Sequence, residues 1–270
     1  MMVIMARADF IKHMNKLAGT ANKSVVKAIP VPPPSVYRIV RVESAPSVSG
    51  LIEDRAWQLA DIARVDQFHP NSSNHRPQTL VQALYDSAGI YVRFQVADQY
   101  VRAVCKRPQE MVSRDSCVEC FIQPPGAGYF NFEVNCGGTM LLYYIEDASR
   151  PIPPNGTPFT RFTPLPLNQI ELVRVEHTLP KTIDPEITSR IDWSLGFFAP
   201  WELFQAYVPK SSLRRDVPWR GNFFKCGDHT SHPHWASWNP IGPVPRFHQP
   251  ERFGTFEFEA DSTLNRLVRG

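Results

Sequence analysis

The sequence lacks the features that mark several large classes of protein. No apolar run approaches the roughly 18 residues that a membrane-spanning helix needs. The first residues carry charges where a secretory signal has an uninterrupted apolar stretch. The 29 basic and 26 acidic side chains leave a net charge of only +3, whereas nucleic-acid-binding domains are usually strongly basic. We therefore expect neither a membrane partner nor a nucleic-acid partner.

Helix signals and common catalytic motifs are also scarce. The chain contains no G-x-S-x-G, P-loop or G-x-G-x-x-G motif. One helical turn is predicted at PWELF, residues 200–204, where proline suits the first position of a helix. Proline accounts for 26 of 270 residues, about twice the usual share of ~5%. This composition disfavours long helices and favours short strands joined by stiff loops.

The chain has only five cysteines. Because this number is odd, they cannot all pair into disulfides within one chain. Cys117 and Cys120 form a C-x-x-C motif, a spacing that is often associated with zinc or redox sites. However, the surrounding SCVECFIQ has the pattern of a strand, and residues three apart on a strand point to opposite faces. We therefore expect buried free thiols rather than a shared metal site.

Short strand candidates follow one another from Tyr37 onwards, and turn sequences rich in Gly, Asp and Ser separate them. This pattern predicts an all-β fold, an antiparallel β-sandwich with little helix. We expect an N-terminal extension over 1–36 with a proline-rich spacer at 29–35, the sandwich over 37–262 and a tail over 263–270. The predicted strands are Thr79–Leu84, Gly89–Ala97, Cys117–Gln123, Tyr129–Asn135, Thr139–Ile145, Glu171–His177, Asp192–Phe198, Asn222–Cys226 and Gly254–Glu259.

Three of these strands, Gly89–Ala97, Cys117–Gln123 and Tyr129–Asn135, alternate between apolar and polar side chains. Sequential strands usually pair, so we expect them to be neighbours with one shared polar face. Planar polar groups mixed with aromatic rings suit a sugar, because amides and carboxylates meet its hydroxyls and rings pack on its C–H face. A plain solvated sheet face is the alternative. The polar face would carry Arg93, Gln95, Glu119, Asn131, Glu133 and Asn135, with Tyr91 and Phe121 between them.

Longer blocks of sequence point to a family. RDSCVECFIQPP, YFNFEVNCGGT and WRGNFFKCGD follow one another in order, and HWASWNPIGPVPRFHQPERFGTFEF comes last. Together they resemble the family 9 carbohydrate-binding modules over roughly residues 37–260. The resemblance implies an immunoglobulin-like or DOMON-like β-sandwich that binds carbohydrate without cleaving it, and in some members structural calcium. The family is commonly extracellular, although no export signal is visible in this sequence.

The same resemblance suggests which residues contact the sugar. Glu119 falls on the carboxylate of the family's Val-Glu block, and Glu133 and Asn135 fall on the polar positions of the next strand. Family members clamp the sugar between two tryptophans. The first clamp position has no aromatic residue here, because residues 111–114 read MVSR. The second is expected at Trp235 or Trp238, and Arg93 is expected to add a polar contact.

Other side chains allow different chemistry. His229, His232 and His234 lie close together in the sequence and could hold zinc or copper. Asp98 and Asp115 could serve calcium, which takes carboxylate and carbonyl oxygens.

The pair Glu119 and Glu133 also allows a divergent glycoside hydrolase, which needs two carboxyl groups flanking the bond. A catalytic acid needs an apolar setting, which an open polar sheet face would not give. The segment from Arg246 to Phe253 is expected to hold the last strand against the core rather than to bind ligand.

Overall fold

The structure, a computed structural model, describes residues 34–48, 55–151 and 156–260. Most of the expected N-terminal extension, including most of the proline-rich spacer, and the whole expected tail lie outside these residues. Within the described chain, no helix is long and apolar enough to cross a membrane.

Strands make up nearly all of the regular structure. Among the residues that the structure describes, the two α-helices are α1, Leu167–Ile170, and α2, Trp201–Gln205. The strands are β1 Val36–Arg41, β2 Ala63–Arg64, β3 Gln67–Phe68, β4 Gln78–Tyr85, β5 Gly89–Asp98, β6 Val101–Ala103, β7 Cys117–Gln123, β8 Tyr129–Asn135, β9 Met140–Leu141, β10 Tyr143–Asp147, β11 Arg161–Pro164, β12 Arg174–His177, β13 Ile183–Ile187, β14 Ile191–Pro200, β15 Trp219–Cys226, β16 Trp235–Ser237 and β17 Gly254–Phe258.

Most of the described strands form two sheets that meet at β1, and β6 and β13 pair in a separate small sheet. The front sheet runs in the order β11, β10, β8, β7, β15, β17 and β1, and the back sheet in the order β1, β4, β5, β14 and β12. The first part of β1 pairs with β17 and its last two residues pair with β4, in both cases parallel. The neighbouring pairs along the rest of this path are antiparallel. The predicted all-β sandwich is confirmed, with these two parallel pairings added.

The main core lies between the sheets and follows the alternation of the strands. On β7, Val118, Cys120 and Ile122 point into this core and are at most 1% exposed. Phe130, Phe132 and Val134 do the same on β8. The helical turn predicted at PWELF forms as α2, whose buried face packs Leu203 and Phe204 into the same core. Full burial of such a side chain contributes roughly 1.5–3 kcal/mol to folding.

A second apolar cluster covers the outer face of the front sheet, so this face is not simply solvated. The ring of Phe224 on β15 stacks on Phe247, with ring centroids 4.2 Å apart, and Phe121 on β7 packs against Phe224 and Phe253. Phe247 and Phe253 come from the segment that was expected to hold the last strand, and both are buried. This cluster supplies apolar walls for the polar side chains beside it.

Two expectations about the strands are wrong. Gly89–Ala97 is a strand (β5), but it lies in the back sheet between β4 and β14, not beside β7 and β8. The strand expected over Glu171–His177 begins only at Arg174, because helix α1 occupies the preceding residues and Glu171 forms its C-cap.

Candidate functional site

A pocket of about 250 Å³ opens on the outer face of the front sheet. Its floor comes from β7, β8 and the end of β15, and its walls from loop residues at 111–113, at 150, at 158–159 and at 245–248. The side chains in the pocket include carboxyl groups, an amide, an imidazole and several rings. They are Met111, Ser113, Glu119, Asn131, Glu133, Leu141, Tyr143, Arg150, Pro158, Phe159, Cys226, Asp228, Trp235, Pro245, Arg246, Phe247 and His248.

Two glutamates form the centre of the floor. Glu119 on β7 and Glu133 on β8 are directly opposite in the strand register, so their side chains leave the sheet side by side. They are only 2% and 5% exposed. Burial, with the nearby charge of Glu133, raises the pKa of Glu119 well above its usual range. The protonated form of Glu119 is therefore favoured by the fold, and in that form it offers the pocket an O–H donor.

Glu133 is held by polar neighbours on the same floor. Asn131 donates from Nδ2 to Oε1 of Glu133 at 2.7 Å. The Nε2 atom of His248 lies 3.6 Å from the same oxygen, and its Nδ1 lies 2.8 Å from the hydroxyl of Tyr129. The amide of Asn131 is itself fixed, because the backbone N–H of Tyr143 donates to its Oδ1 at 2.6 Å. Glu133 is thus a positioned acceptor.

Trp235 forms part of the wall next to the two glutamates. It begins β16, and its backbone exchanges hydrogen bonds with the Ser72 hydroxyl and accepts one from the N–H of His69. Its indole N–H donates to Oδ1 of Asp228 at 2.8 Å. Burial raises the pKa of Asp228. These contacts fix a half-buried ring at the edge of a polar floor.

The rim carries longer and more exposed side chains. Arg150 and Arg246 are exposed cations on two different loops. Met111 is 51% exposed and comes from the stretch that the sequence marked as lacking an aromatic residue. A flexible thioether therefore lines the pocket where the family resemblance leads one to expect an indole.

A family model, "Carbohydrate-binding family 9", matches residues 54–258 of this chain, which is about three quarters of its length. The chain belongs to carbohydrate-binding family 9. This confirms the family indicated by the sequence blocks and, with it, non-catalytic carbohydrate binding as the function of the module.

Solved structures share the fold of the module. A candidate carbohydrate-binding protein from Bacteroides uniformis has 23% identity and a TM-score of 0.67, covering 84% of this chain and 100% of that one. A family 9 module from Caldicellulosiruptor kristjanssonii in complex with glucose has 12% identity and a TM-score of 0.52, covering 83% and 96%. The same organism's family 9 module with cellotriose has 11% identity and a TM-score of 0.51, covering 84% and 95%. A search of curated proteins gave no significant match.

The structure of the module brings together three of the six ligand-binding residues suggested by the sequence. Glu119, Glu133 and Trp235 line the pocket. Asn135 shares the sheet face but is fully buried, donating from Nδ2 to Asp115 at 2.8 Å and accepting from the N–H of Thr139 at 2.8 Å. Its amide therefore closes the turn after β8 and does not reach the pocket.

Arg93 and Trp238 lie away from the pocket. Arg93 lies on β5 of the back sheet, where it donates to Gln82 at 2.6 Å and lies over the ring of Trp57 at 4.6 Å. Trp238 packs against Tyr37, Phe223 and Phe256 at the margin of the main core. Both interactions stabilise the sandwich rather than the candidate site.

The three histidines of the late loop do not converge. His234 is fully buried, and its Nε2 lies 2.9 Å from the Lys225 ammonium. His232 stacks on Tyr100 with centroids 3.6 Å apart, and His229 is exposed. Among the described residues, the one group of three close potential metal ligands is Cys117, Glu119 and Cys226, without any histidine.

The two aspartates expected to serve calcium are occupied by donors and cations of the protein. Asp98 accepts from the Trp193 indole at 3.1 Å and lies 3.4 Å from Lys225 Nζ. Asp115 accepts from two backbone N–H groups, at 2.8 and 2.9 Å, and from the Asn135 amide. Calcium takes six to eight oxygen ligands, and calcium binding by these two carboxylates stays a prediction.

Several site residues were not anticipated from the sequence. His248 and Arg246 were assigned to holding the last strand, yet both line the pocket. Asp228 and Cys226 also line it. The position of Cys226 follows from strand parity, because it shares a face with Phe224, but the loop residues reach the site only through long-range folding.

Proposed function

We propose that the pocket above Glu119 and Glu133 is the carbohydrate-binding site of this family 9 module. The observation that carries the proposal is the cross-strand pairing of these two glutamates beside the half-buried indole of Trp235. A sugar offers hydroxyl groups in its plane and C–H groups on its faces. A floor of carboxyl groups and a wall formed by a ring match these two surfaces.

The two glutamates supply complementary hydrogen bonds. In its protonated form Glu119 donates to a sugar oxygen, whereas the carboxyl oxygens of Glu133 accept from a sugar hydroxyl. The Asn131 amide and the His248 imidazole beside Glu133 keep its carboxyl group in place. A directed donor next to a directed acceptor selects one arrangement of adjacent hydroxyls, which is the basis of specificity between sugars.

The size of the pocket favours a short ligand. Pockets for drug-sized ligands hold about 300–1,000 Å³, and this one holds about 250 Å³. We propose that it takes a single sugar unit or the end of a chain. The two Caldicellulosiruptor family 9 structures, solved with glucose and with cellotriose, make these sugars the first probes.

The arrangement favours binding over hydrolysis. Glu119 has the apolar setting that an acid catalyst needs, so the expectation of an open polar face around it is wrong. However, the two carboxyl groups rise side by side from neighbouring strands of one floor. A glycosidase places its carboxyl groups on either side of the scissile bond, whereas here a sugar would lie above both.

Calorimetric titration of the full chain with glucose and with cellotriose tests the proposal. We expect saturable binding that Glu133→Ala weakens about 5- to 150-fold, because leaving a buried hydrogen-bonding group without its partner costs roughly 1–3 kcal/mol. Glu176→Ala on the exposed edge strand β12 is the control and should leave binding unchanged. Binding that survives Glu133→Ala would place the site elsewhere, and release of reducing sugar that Glu119→Gln abolishes would indicate catalysis.

A further inference from the structure

Two thiols and a carboxyl group meet beneath the candidate sugar pocket. Cys117 on β7 and Cys226 on β15 are directly opposite in the strand register, and Glu119 lies two residues along β7 on the same face. The Sγ atoms and a carboxyl oxygen all lie within 4.8 Å of one another. All three residues are at most 2% exposed. They form what we name the thiol cluster: Cys117, Glu119 and Cys226.

The sugar-binding proposal does not account for these thiols. Cys226 donates from Sγ to Oε1 of Glu119 at 3.2 Å, and Cys117 donates from Sγ to the backbone carbonyl of Val118 at 3.6 Å. Both cysteines are free. A buried apolar neighbour would satisfy the sheet equally well, so two adjacent thiols beside one carboxyl group form a donor set that packing alone does not require.

We propose that the thiol cluster binds one Zn²⁺ ion, or a similar thiophilic divalent cation, through the two sulfurs and the Glu119 carboxylate. Thiolates select zinc over calcium or magnesium. Zn–S bonds of about 2.3 Å and Zn–O bonds of about 2.1 Å put ligand atoms of a tetrahedral site roughly 3.5–3.8 Å apart. The ligand atoms of the cluster, which lie within 4.8 Å of one another, are near this spacing.

The fourth coordination position faces the pocket. Cys226 and Glu119 both line the pocket, so the cluster is connected to solvent. A site with three protein ligands leaves zinc one position for water or for an oxygen of a bound molecule. The proposed ion would therefore lie where a sugar hydroxyl could reach it, although its binding does not depend on a sugar.

Binding of Zn²⁺ to the thiol cluster releases the protons of its ligand groups. When the two thiols and the Glu119 carboxyl group are protonated, the metal-free cluster is neutral. Zn²⁺ replaces all three protons, so three protons leave, two positive charges enter and the cluster carries one negative charge. The buried ammonium of Lys225 acts on both thiols in the direction that lowers their pKa. Burial, together with the charges of Glu133 and Asp228, raises the pKa of Glu119. The affinity for zinc should rise with pH.

Cobalt substitution of the reduced full chain tests the proposal without any sugar. Co²⁺ bound by thiolates gives charge-transfer absorption in the near ultraviolet, which carboxylates and imidazoles alone do not give. We expect one equivalent of Co²⁺ with this absorption and its displacement by one equivalent of Zn²⁺. Cys226→Ser should remove the absorption and weaken Zn²⁺ binding about 100-fold or more, because one of only three protein ligands is lost.

Two controls keep the result specific. Cys105→Ser changes a half-exposed thiol outside the cluster and should leave the absorption intact. In the unmutated chain, Zn²⁺ should protect Cys117 and Cys226 from alkylation, as read by peptide mapping, so the test does not depend on a variant that folds. Absence of thiolate absorption, or absorption that persists in Cys226→Ser, would overturn the proposal.

A sugar titration separates this inference from the proposed function. Glucose or cellotriose binding that persists in the presence of a chelator, together with no cobalt signal, would reject the metal site alone. A cobalt signal without any sugar binding would reject the sugar site alone.

Discussion

Lys225 on the front sheet and Asp98 on the back sheet lie 3.4 Å apart between the two sheets, and both side chains are fully buried. Lys225 also contacts Nε2 of His234 at 2.9 Å, and Asp98 accepts from the Trp193 indole and from His75, whose Nε2 lies 2.8 Å away. Both carboxylate oxygens of Asp98 and the ammonium of Lys225 therefore have hydrogen-bond or ion-pair partners inside the protein. The network therefore joins the two sheets through charge as well as through apolar packing.

Breaking this ion pair on one side should be costly. Lys225→Met leaves the Asp98 carboxylate buried without its cation, which destabilises a fold by about 3–5 kcal/mol. Chemical denaturation should show this loss in the free energy of unfolding. The double variant Lys225→Met/Asp98→Leu should recover much of it, because no unpaired charge remains. A double variant that is no more stable than Lys225→Met would contradict this account.

His234 gives the stability a dependence on pH. Burial, with the charge of Lys225, lowers the pKa of His234 from 6.5 to about 3. As pH falls from about 6.5 to 3, the unfolded chain therefore takes up a proton that the folded chain refuses, and stability falls. One fully shifted group contributes about 1.4 kcal/mol per pH unit. His234→Gln cannot titrate, so denaturation curves at pH 7 and pH 5 should differ less for this variant than for the original chain.

Glu119 gives the stability a pH dependence opposite to that of His234. Its raised pKa means that the folded chain keeps a proton that the unfolded chain loses above about pH 4.3, so this contribution to stability decreases as pH rises. Glu119→Gln should lose less stability than the original chain between pH 5 and pH 8. Because the two effects partly cancel, each must be measured as a difference between variant and original chain. Equal pH slopes for Glu119→Gln and the original chain would show that Glu119 is ionised in the fold.

Local alternation was enough to predict the floor of the site. On β7 and β8 the period of two separates apolar from polar residues, and it correctly placed Glu119 and Glu133 together on the face away from the main core. The same parity separates Cys117 from Cys120, which lie on opposite faces of β7 as expected. The face of the sheet on which a side chain lies depends only on the alternation of a few neighbouring residues, so it can be predicted from the sequence.

Which strands become neighbours is not a local property. Arg93 was placed with the glutamates because sequential strands usually pair, but the chain crosses between sheets after β5, and β6 pairs with the distant β13. His248 reaches Glu133 from 115 residues further along the chain. Asn135 has the right parity, yet the local turn uses its amide. Pairing order and loop closure depend on the whole chain, and strand patterns cannot supply them.

The two candidate tryptophans offer a matched comparison for the site. Trp235→Ala removes the half-buried ring from the pocket wall and should weaken cellotriose binding by about 1.5–3 kcal/mol, roughly 10- to 150-fold. Trp238→Phe keeps a ring in the margin of the main core and should leave the dissociation constant unchanged. Calorimetric titration measures both. An unchanged affinity in Trp235→Ala would show that the ring of Trp235 does not contact the sugar. A large loss of affinity in Trp238→Phe would show that Trp238 contributes to binding.

Met111 allows a test by gain of affinity. It is half-exposed on the pocket wall, in the stretch where the family resemblance implies the first clamp tryptophan. Met111→Trp adds a large aromatic face there at an exposed position, so the fold need not rearrange. An additional aromatic contact contributes about 0.5–1.5 kcal/mol, which corresponds to roughly 2- to 12-fold tighter binding of cellotriose. Leu167→Trp, at another exposed apolar position on α1, controls for nonspecific effects of a surface indole. If both substitutions change the affinity equally, or if Met111→Trp weakens binding, the sugar does not contact this wall of the pocket.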